Sequence, residues 1–180
     1  MRKLKNSELN RLNIDQFKKT EKIPLIVVLD NIRSLNNIGS VFRTADAFLI
    51  EKVFLCGITA TPPNKEIHKT ALGATDSVDW EYTESTLELI QKLKSENVVI
   101  LSVEQADRST SLESFEPLTD QKYAVIFGNE VKGVQQDVVS ASDFCLEIPQ
   151  YGTKHSLNIS VSCGIVLWDL FSKIRFKGIV

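Results

Sequence analysis

Apolar residues along the chain fall into short continuous runs separated by polar, helix-compatible stretches. After Pro24, Leu25 to Leu29 read LIVVL. A short, wholly apolar run of this kind is expected of a strand covered on both faces, as in a parallel sheet. Val53 to Cys56, Val98 to Val103, Tyr123 to Phe127 and Phe144 to Ile148 repeat the pattern. Between the first two runs, Asn37 is placed to cap a helix reaching Phe48. Ile38, Val41, Phe42, Ala45, Phe48 and Leu49 share one face of that helix, and Arg43 points off it. Thr61-Pro62-Pro63-Asn64 breaks the chain ahead of a short polar helix. Ser85 and Glu88 have capping-box spacing for a helix that carries Leu87, Leu89, Ile90 and Leu93 and ends at Asn97. Strand and helix patterns alternate, which predicts an α/β fold with a mostly parallel sheet flanked by helices. Residues 1–22 are polar, basic and helix-permissive, and are expected to form a short extension to a domain of residues 23–180. The last helix, Leu157 to Ile174, is apolar on nearly every side, including Ile165, Val166, Leu167, Trp168, Leu170 and Phe171. Such a helix needs cover on two sides, so a homodimer is expected.

Composition narrows the class. The 180 residues are 43% hydrophobic and 24% charged, the make-up of one ordinary globular domain. No apolar run is long enough to span a bilayer, and no membrane association is expected. The basic start, Met1 to Lys5, leads into a polar stretch rather than an apolar one, which argues against a secretory signal. Cys56, Cys145 and Cys163 are scattered and form no C-x-x-C, and only His68 and His155 could join them as ligands. Neither a disulfide framework nor a structural zinc site is expected, and the cytoplasm is the default compartment. The net charge of −2 counts mildly against nucleic-acid binding. The basic residues are nonetheless concentrated at the ends: Arg2, Lys3, Lys5, Arg11, Lys18, Lys19 and Lys22, then Lys173, Arg175 and Lys177. They form either a local basic patch or two solvated termini.

Several familiar sites are missing: no G-x-G-x-x-G after a strand, no phosphate-loop lysine, no H-E-x-x-H and no G-x-S-x-G. Three other segments stand out. Asn36 to Ala45 puts an Asn at a helix start, Gly39 beside it and Arg43 off the apolar face, an arrangement that suits an anion or is simply a cap, a close-packing glycine and a solvated arginine. Phe127-Gly128-Asn129-Glu130-Val131-Lys132-Gly133 leaves a buried strand into a glycine-bearing turn, where ligands bind in α/β sheets. Ile148 to Ser160 ends a strand at Pro149 and starts an apolar helix capped by Ser156 or Asn158.

Together and in this order, N-x-G-x-x-x-R (Asn37, Gly39, Arg43), G-N-E-x-x-G (Gly128, Asn129, Glu130, Gly133) and S-L-N (Ser156, Leu157, Asn158) resemble the three signature motifs of the SpoU (TrmH-like) family of SPOUT RNA 2'-O-ribose methyltransferases. The likeness runs from Pro24 to Ser172, and Lys69-Thr70-Ala71-Leu72-Gly73-Ala74 resembles a further family stretch. The resemblance implies a deep trefoil knot in the C-terminal part, although knots are rare in general. It implies S-adenosyl-L-methionine as cofactor, held by Gly128, Asn129, Ile148 and Leu157, with Glu104 lining the same pocket. It implies a homodimer that assembles the active site, no metal, and an RNA substrate, tRNA favoured over rRNA. Arg43 would act at the ribose hydroxyl, oriented by Asn37, while Glu130, Ser156 and Asn158 order the pocket and the ribose. Methyl transfer is an in-line displacement at a sulfonium carbon, so the protein must supply position and a better nucleophile. An arginine stays protonated and is a very poor base. Arg43 is therefore expected to clamp a phosphate and position the hydroxyl, with the proton acceptor unassigned. The alternatives are a SPOUT enzyme acting on a base nitrogen and a catalytically silent RNA-binding or assembly protein of the same fold. A generic nucleotide-binding α/β protein is disfavoured by the lack of a phosphate loop.

Overall fold

The computed structural model describes residues 1–176. Its strands are β1 (Ile23–Asp30), β2 (Ile50–Cys56), β3 (Trp80–Thr83), β4 (Val99–Val103), β5 (Thr110–Ser111), β6 (Tyr123–Phe127) and β7 (Phe144–Glu147). Its α-helices are α1 (Ile14–Lys19), α2 (Leu35–Ala47), α3 (Lys65–Ala71), α4 (Ala74–Ser77), α5 (Thr86–Ser95), α6 (Gln136–Ala141) and α7 (Ile159–Phe176). All seven strands join one sheet in the order β3-β2-β1-β6-β4-β7-β5, and every neighbouring pair is parallel. The sheet matches the α/β expectation.

The unbroken apolar run of β1 follows from cover on both faces. Leu25, Val27 and Leu29 pack with α2, α3 and α7 through Ile38, Phe42, Ile67 and Leu167. Ile26 and Val28 pack on the other face with α5 and α6 through Leu89, Ile90 and Val138. Successive strand residues point to opposite faces, so a strand buried on both must be apolar throughout. Phe17 of α1 enters the first of these cores, which ties residues 1–22 to the domain.

Several local expectations change. Ser34, not Asn37, caps α2: its hydroxyl accepts the Asn37 N–H at 3.3 Å. The Asn37 side chain is thereby left for other partners. Asn158, rather than Ser156, caps α7, its Oδ1 accepting the Ser160 N–H at 2.9 Å. β3, β5 and α6 carry no apolar run; β3 is a half-exposed edge strand and α6 buries only Val138. Lys173 does not join a basic patch. Its ammonium pairs with Asp169 at 2.9 Å and donates to the carbonyls of Leu112 and Phe115, pinning α7 to the segment after β5. Arg2 is likewise engaged, by Glu8 at 2.6 Å. Lys177 lies outside the described residues. No described helix is long and apolar enough to cross a membrane.

Candidate active site

The carboxyl ends of β4, β6 and β7 open onto a cleft of about 560 Å³. It is lined by Glu104 after β4, by Gly128, Asn129 and Glu130 after β6, by Ile148 after β7, and by Ser156, Leu157 and Asn158 ahead of α7. This is the edge of a parallel sheet where strand ends leave room for ligands. All five residues expected to hold a cofactor line it, with Glu130, Ser156 and Asn158. Asn37 and Arg43 do not line it.

The loop from Gly128 to Val134 has a shape only small residues permit. A Cβ on Gly128 would lie 2.0 Å from the Val134 nitrogen and 2.1 Å from the Gly133 carbonyl carbon. Gly133 has φ +69°, and a Cβ there would lie 2.1 Å from Glu104 Oε2. Within the loop, Asn129 N–H donates to the Gly133 carbonyl at 3.0 Å, and Gly133 N–H returns to the Asn129 carbonyl at 2.8 Å. Asn129 Oδ1 accepts the N–H groups of Val131 and Lys132 at 3.0 and 3.1 Å, and its Nδ2 donates to the Asn31 carbonyl at 2.7 Å. Asn129 thus builds the loop as well as lining the cleft. Glu104 closes it from below, Oε2 accepting the Val134 N–H at 3.1 Å.

Glu130 joins the motif segments. Its carboxylate accepts the backbone N–H groups of Arg33 and Ser34, both at 3.0 Å, and the Asn37 amide at 3.1 Å. Asn37 Oδ1 in turn accepts the Asn158 amide at 3.3 Å. Burial pushes the Glu130 carboxyl up, but the N–H donors of Arg33, Glu130 itself and Ser34, with the Asn37 amide, outweigh it and hold the group below its ordinary range. Three segments far apart in sequence therefore meet through one carboxylate and two amides. Gln105 adds a tie by donating to the His155 carbonyl at 2.9 Å. His155 itself is exposed. Ser156 is exposed and makes no hydrogen bond among the described residues.

Arg43 and Asn37 share no hydrogen bond. Six residues apart on α2, they are separated by about 9 Å along the axis and two-thirds of a turn around it. Arg43 is exposed, makes no hydrogen bond or ion pair among the described residues, and faces a second groove together with α1 and α4. Gly39 has a packing role: a Cβ there would lie 2.2 Å from the Ile67 carbonyl oxygen, where α3 crosses α2. Burial pushes the Cys56 thiol up to about 12 and the enclosed Cys163 higher still, so both stay as inert thiols. Among the described residues no group of three or more His, Cys, Asp or Glu could hold a metal ion.

One supporting residue escaped sequence reasoning. Asp30, fully buried at the end of β1, accepts from Thr86 Oγ1 at 2.6 Å, from the Gln135 N–H at 3.0 Å and from Gln135 Nε2 at 2.8 Å. It anchors the far end of the cleft loop. The signal was a carboxylate closing an otherwise apolar run.

Residues 24–168 match the model of the SpoU rRNA Methylase family. The chain belongs to the SpoU methylase family. An uncharacterized tRNA/rRNA methyltransferase of Borreliella burgdorferi is 31% identical over 157 residues, covering 87% of this chain and 67% of its own length. A TrmH family tRNA/rRNA methyltransferase of Staphylococcus aureus is 27% identical over 170 residues, covering 92% and 67%. Among solved structures, the TrmH/SpoU tRNA modifying enzyme of A. aeolicus superposes with a TM-score of 0.79 at 25% identity, over 90% of this chain and 80% of that one. The SpoU methyltransferase AviRb of Streptomyces viridochromogenes, in complex with AdoMet, gives 0.78 at 21% identity over 89% and 64%. The chain therefore has the SpoU methyltransferase fold, and the three motifs belong to a methyltransferase.

Proposed function

We propose that this SpoU methyltransferase moves a methyl group from S-adenosyl-L-methionine to the 2'-hydroxyl of an RNA ribose, with tRNA favoured over rRNA. The observation that carries the reading is the Glu130–Asn37–Asn158 link, which gathers the three motif segments at the rim of one cleft. The cleft suits that cofactor. Its volume of about 560 Å³ falls within the range of small-molecule sites, roughly 300–1,000 Å³. The tight loop at Gly128 and Gly133 lets backbone approach a ligand closely. The carboxylates of Glu104 and Glu130 supply negative charge suited to a sulfonium and an ammonium. Gly128, Asn129, Ile148 and Leu157 would hold the cofactor, with Glu104 beneath; when bound, it supplies an electrophilic methyl carbon.

The chain's own residues then supply position. Arg43, exposed and unpartnered among the described residues, offers its guanidinium fork to an RNA phosphate and sets the adjoining hydroxyl in line. Ser156 and Asn158 order the ribose at the cleft rim. Asn37 holds the rim together through Glu130 and Asn158 rather than bonding to Arg43.

Arg43 and the cleft do not meet within one protomer, so a second copy completes the site by presenting its Arg43. Support comes from α7, which leaves Val161, Ile165 and Trp168 exposed at 49%, 39% and 53% as an apolar stripe. A knotted C-terminal path, which the family resemblance implies, is compatible with the strand order. β7 enters the sheet between β4 and β5, two strands that precede it in the chain, and Lys173 then ties α7 to the segment after β5. The lean to tRNA rests on the description of the A. aeolicus relative as a tRNA modifying enzyme.

The test is transfer of labelled methyl from S-adenosyl-L-methionine to separated, unmodified tRNA and rRNA pools. The expected result is label in tRNA. Label in rRNA alone would move the substrate; none in either pool, with the cofactor bound, would contradict the reading.

A further inference from the structure

The groove beside Arg43 has a composition of its own. It encloses about 500 Å³ between residues 11–17, the end of α2 and the junction of α3 with α4. Arg11 and Arg43 both line it, and neither makes a hydrogen bond or ion pair among the described residues. Asp46 is its one lining carboxylate, and two guanidinium groups against it leave the walls net positive. The wall also holds open apolar side chains: Leu12, Ile14 and Leu72 are 48%, 46% and 66% exposed. Leu72 is also held at φ +50°, in the left-handed conformation that ends α3. A leucine there is strained by about 1–2 kcal/mol. The turn that ends α3 thus leaves a large apolar side chain in water at the groove edge.

We propose that this groove is a nucleotide subsite for the RNA residue that flanks the methylated one. Its phosphodiester lies between the guanidinium groups of Arg11 and Arg43, and its base lies against Leu12 and Leu72. The proposal rests on the methyltransfer reading above, because that reading brings the RNA to Arg43. Paired guanidinium groups match phosphate oxygens. An apolar wall takes the face of any unstacked base, which is how single-stranded RNA segments are commonly held. The N-terminal segment thereby becomes a substrate-selecting element, with Arg11 as its phosphate contact.

The test compares wild type with Arg11→Ala, Arg11→Lys and Leu72→Asn. Asparagine tolerates the left-handed backbone and removes the apolar contact. Affinity for unmodified tRNA transcripts is measured by fluorescence anisotropy across a salt series, and methyl transfer is split into kcat and KM. The expected result for Arg11→Ala is KM for RNA raised about tenfold, kcat and cofactor affinity unchanged, and a salt slope reduced by about one. Arg11→Lys should recover the slope. Leu72→Asn should weaken binding with the slope intact. Unchanged RNA affinity and slope in Arg11→Ala, in an enzyme that still methylates RNA, would overturn the subsite alone. RNA bound by wild type with the Arg11-dependent slope, but never methylated, would uphold the groove and overturn the activity. Failure of wild type to bind RNA would overturn both.

Discussion

Gly128 and Glu130 show how closely single residues are constrained at the cleft. Gly128→Ala would push a methyl group into the Val134 nitrogen and the Gly133 carbonyl carbon, both backbone atoms that cannot step aside alone. A forced shift of that kind costs about 1–3 kcal/mol. Calorimetry with S-adenosyl-L-methionine should therefore show affinity lowered by roughly one to two orders of magnitude. Glu130 makes a pH prediction. Its carboxyl is held below the ordinary glutamate value of 4.5, so what it contributes is complete above that value. The contribution is lost as the pH falls through the lower, folded value. Thermal stability should keep the Glu130 contribution down to about pH 4.5 and lose it below that. Glu130→Gln should start from a lower plateau and lose that decline, and a variant with the wild-type acid limb would refute the assignment. The identities of these residues were legible as an ordered set of motifs, but their partners were not. Asn37 looked like a cap because asparagine at a helix start usually is one, and Ser34 holds that place instead. Asp30 carries no motif, and only its burial with four engaged donors reveals it.

At the scale of elements, legibility tracked apolar length. β1, β4 and β6 are five to eight residues long and buried, and their runs announce them. β3, β5 and α6 are short and lie at edges or bury one side chain, so no periodicity could arise. Helix α7 was legible as an apolar element, and the fold buries its sheet-facing side. Cys163, Val166, Leu167 and Leu170 are buried against the sheet, while the rings of Trp168 and Phe171 lie tilted against Phe48 at 5.7 and 5.3 Å from it. Ile165→Glu with Trp168→Glu should keep the fold at the cost of the Trp168–Phe48 contact, because the side chains are already 39% and 53% exposed. Sedimentation should then report a monomer, and methyl transfer should fall sharply. A double variant that stays dimeric and active would place the interface elsewhere. The crossing of α2 and α3 makes the opposite kind of prediction. Gly39→Ala meets the Ile67 carbonyl and Thr70, and should cost about 1–3 kcal/mol, or roughly 2–12 °C in Tm.

For the whole molecule, the separation of Arg43 from the cleft is the feature on which the proposed two-copy site rests. No run of residues could have shown it, because it depends on which faces of α2 meet α1, α4 and the cleft rim. If two copies share each site, Arg43→Ala and Gly128→Ala proteins, assayed at cofactor levels too low to fill the weakened cleft of the second, should complement when unfolded and refolded together. Random pairing makes half of the dimers mixed, each with one whole site, so about a quarter of wild-type activity should return. No recovery would confine the site to one protomer.

The most direct test of the central claim is the identity of the methylated atom. RNA treated with this protein and isotope-labelled S-adenosyl-L-methionine would be digested to nucleosides and resolved by mass spectrometry. The account predicts label on a ribose, in a 2'-O-methyl nucleoside that protects its neighbouring bond from alkali. It also predicts that Arg43→Ala abolishes the product while binding the cofactor as wild type does. Label on a base, or full activity in Arg43→Ala, would contradict it.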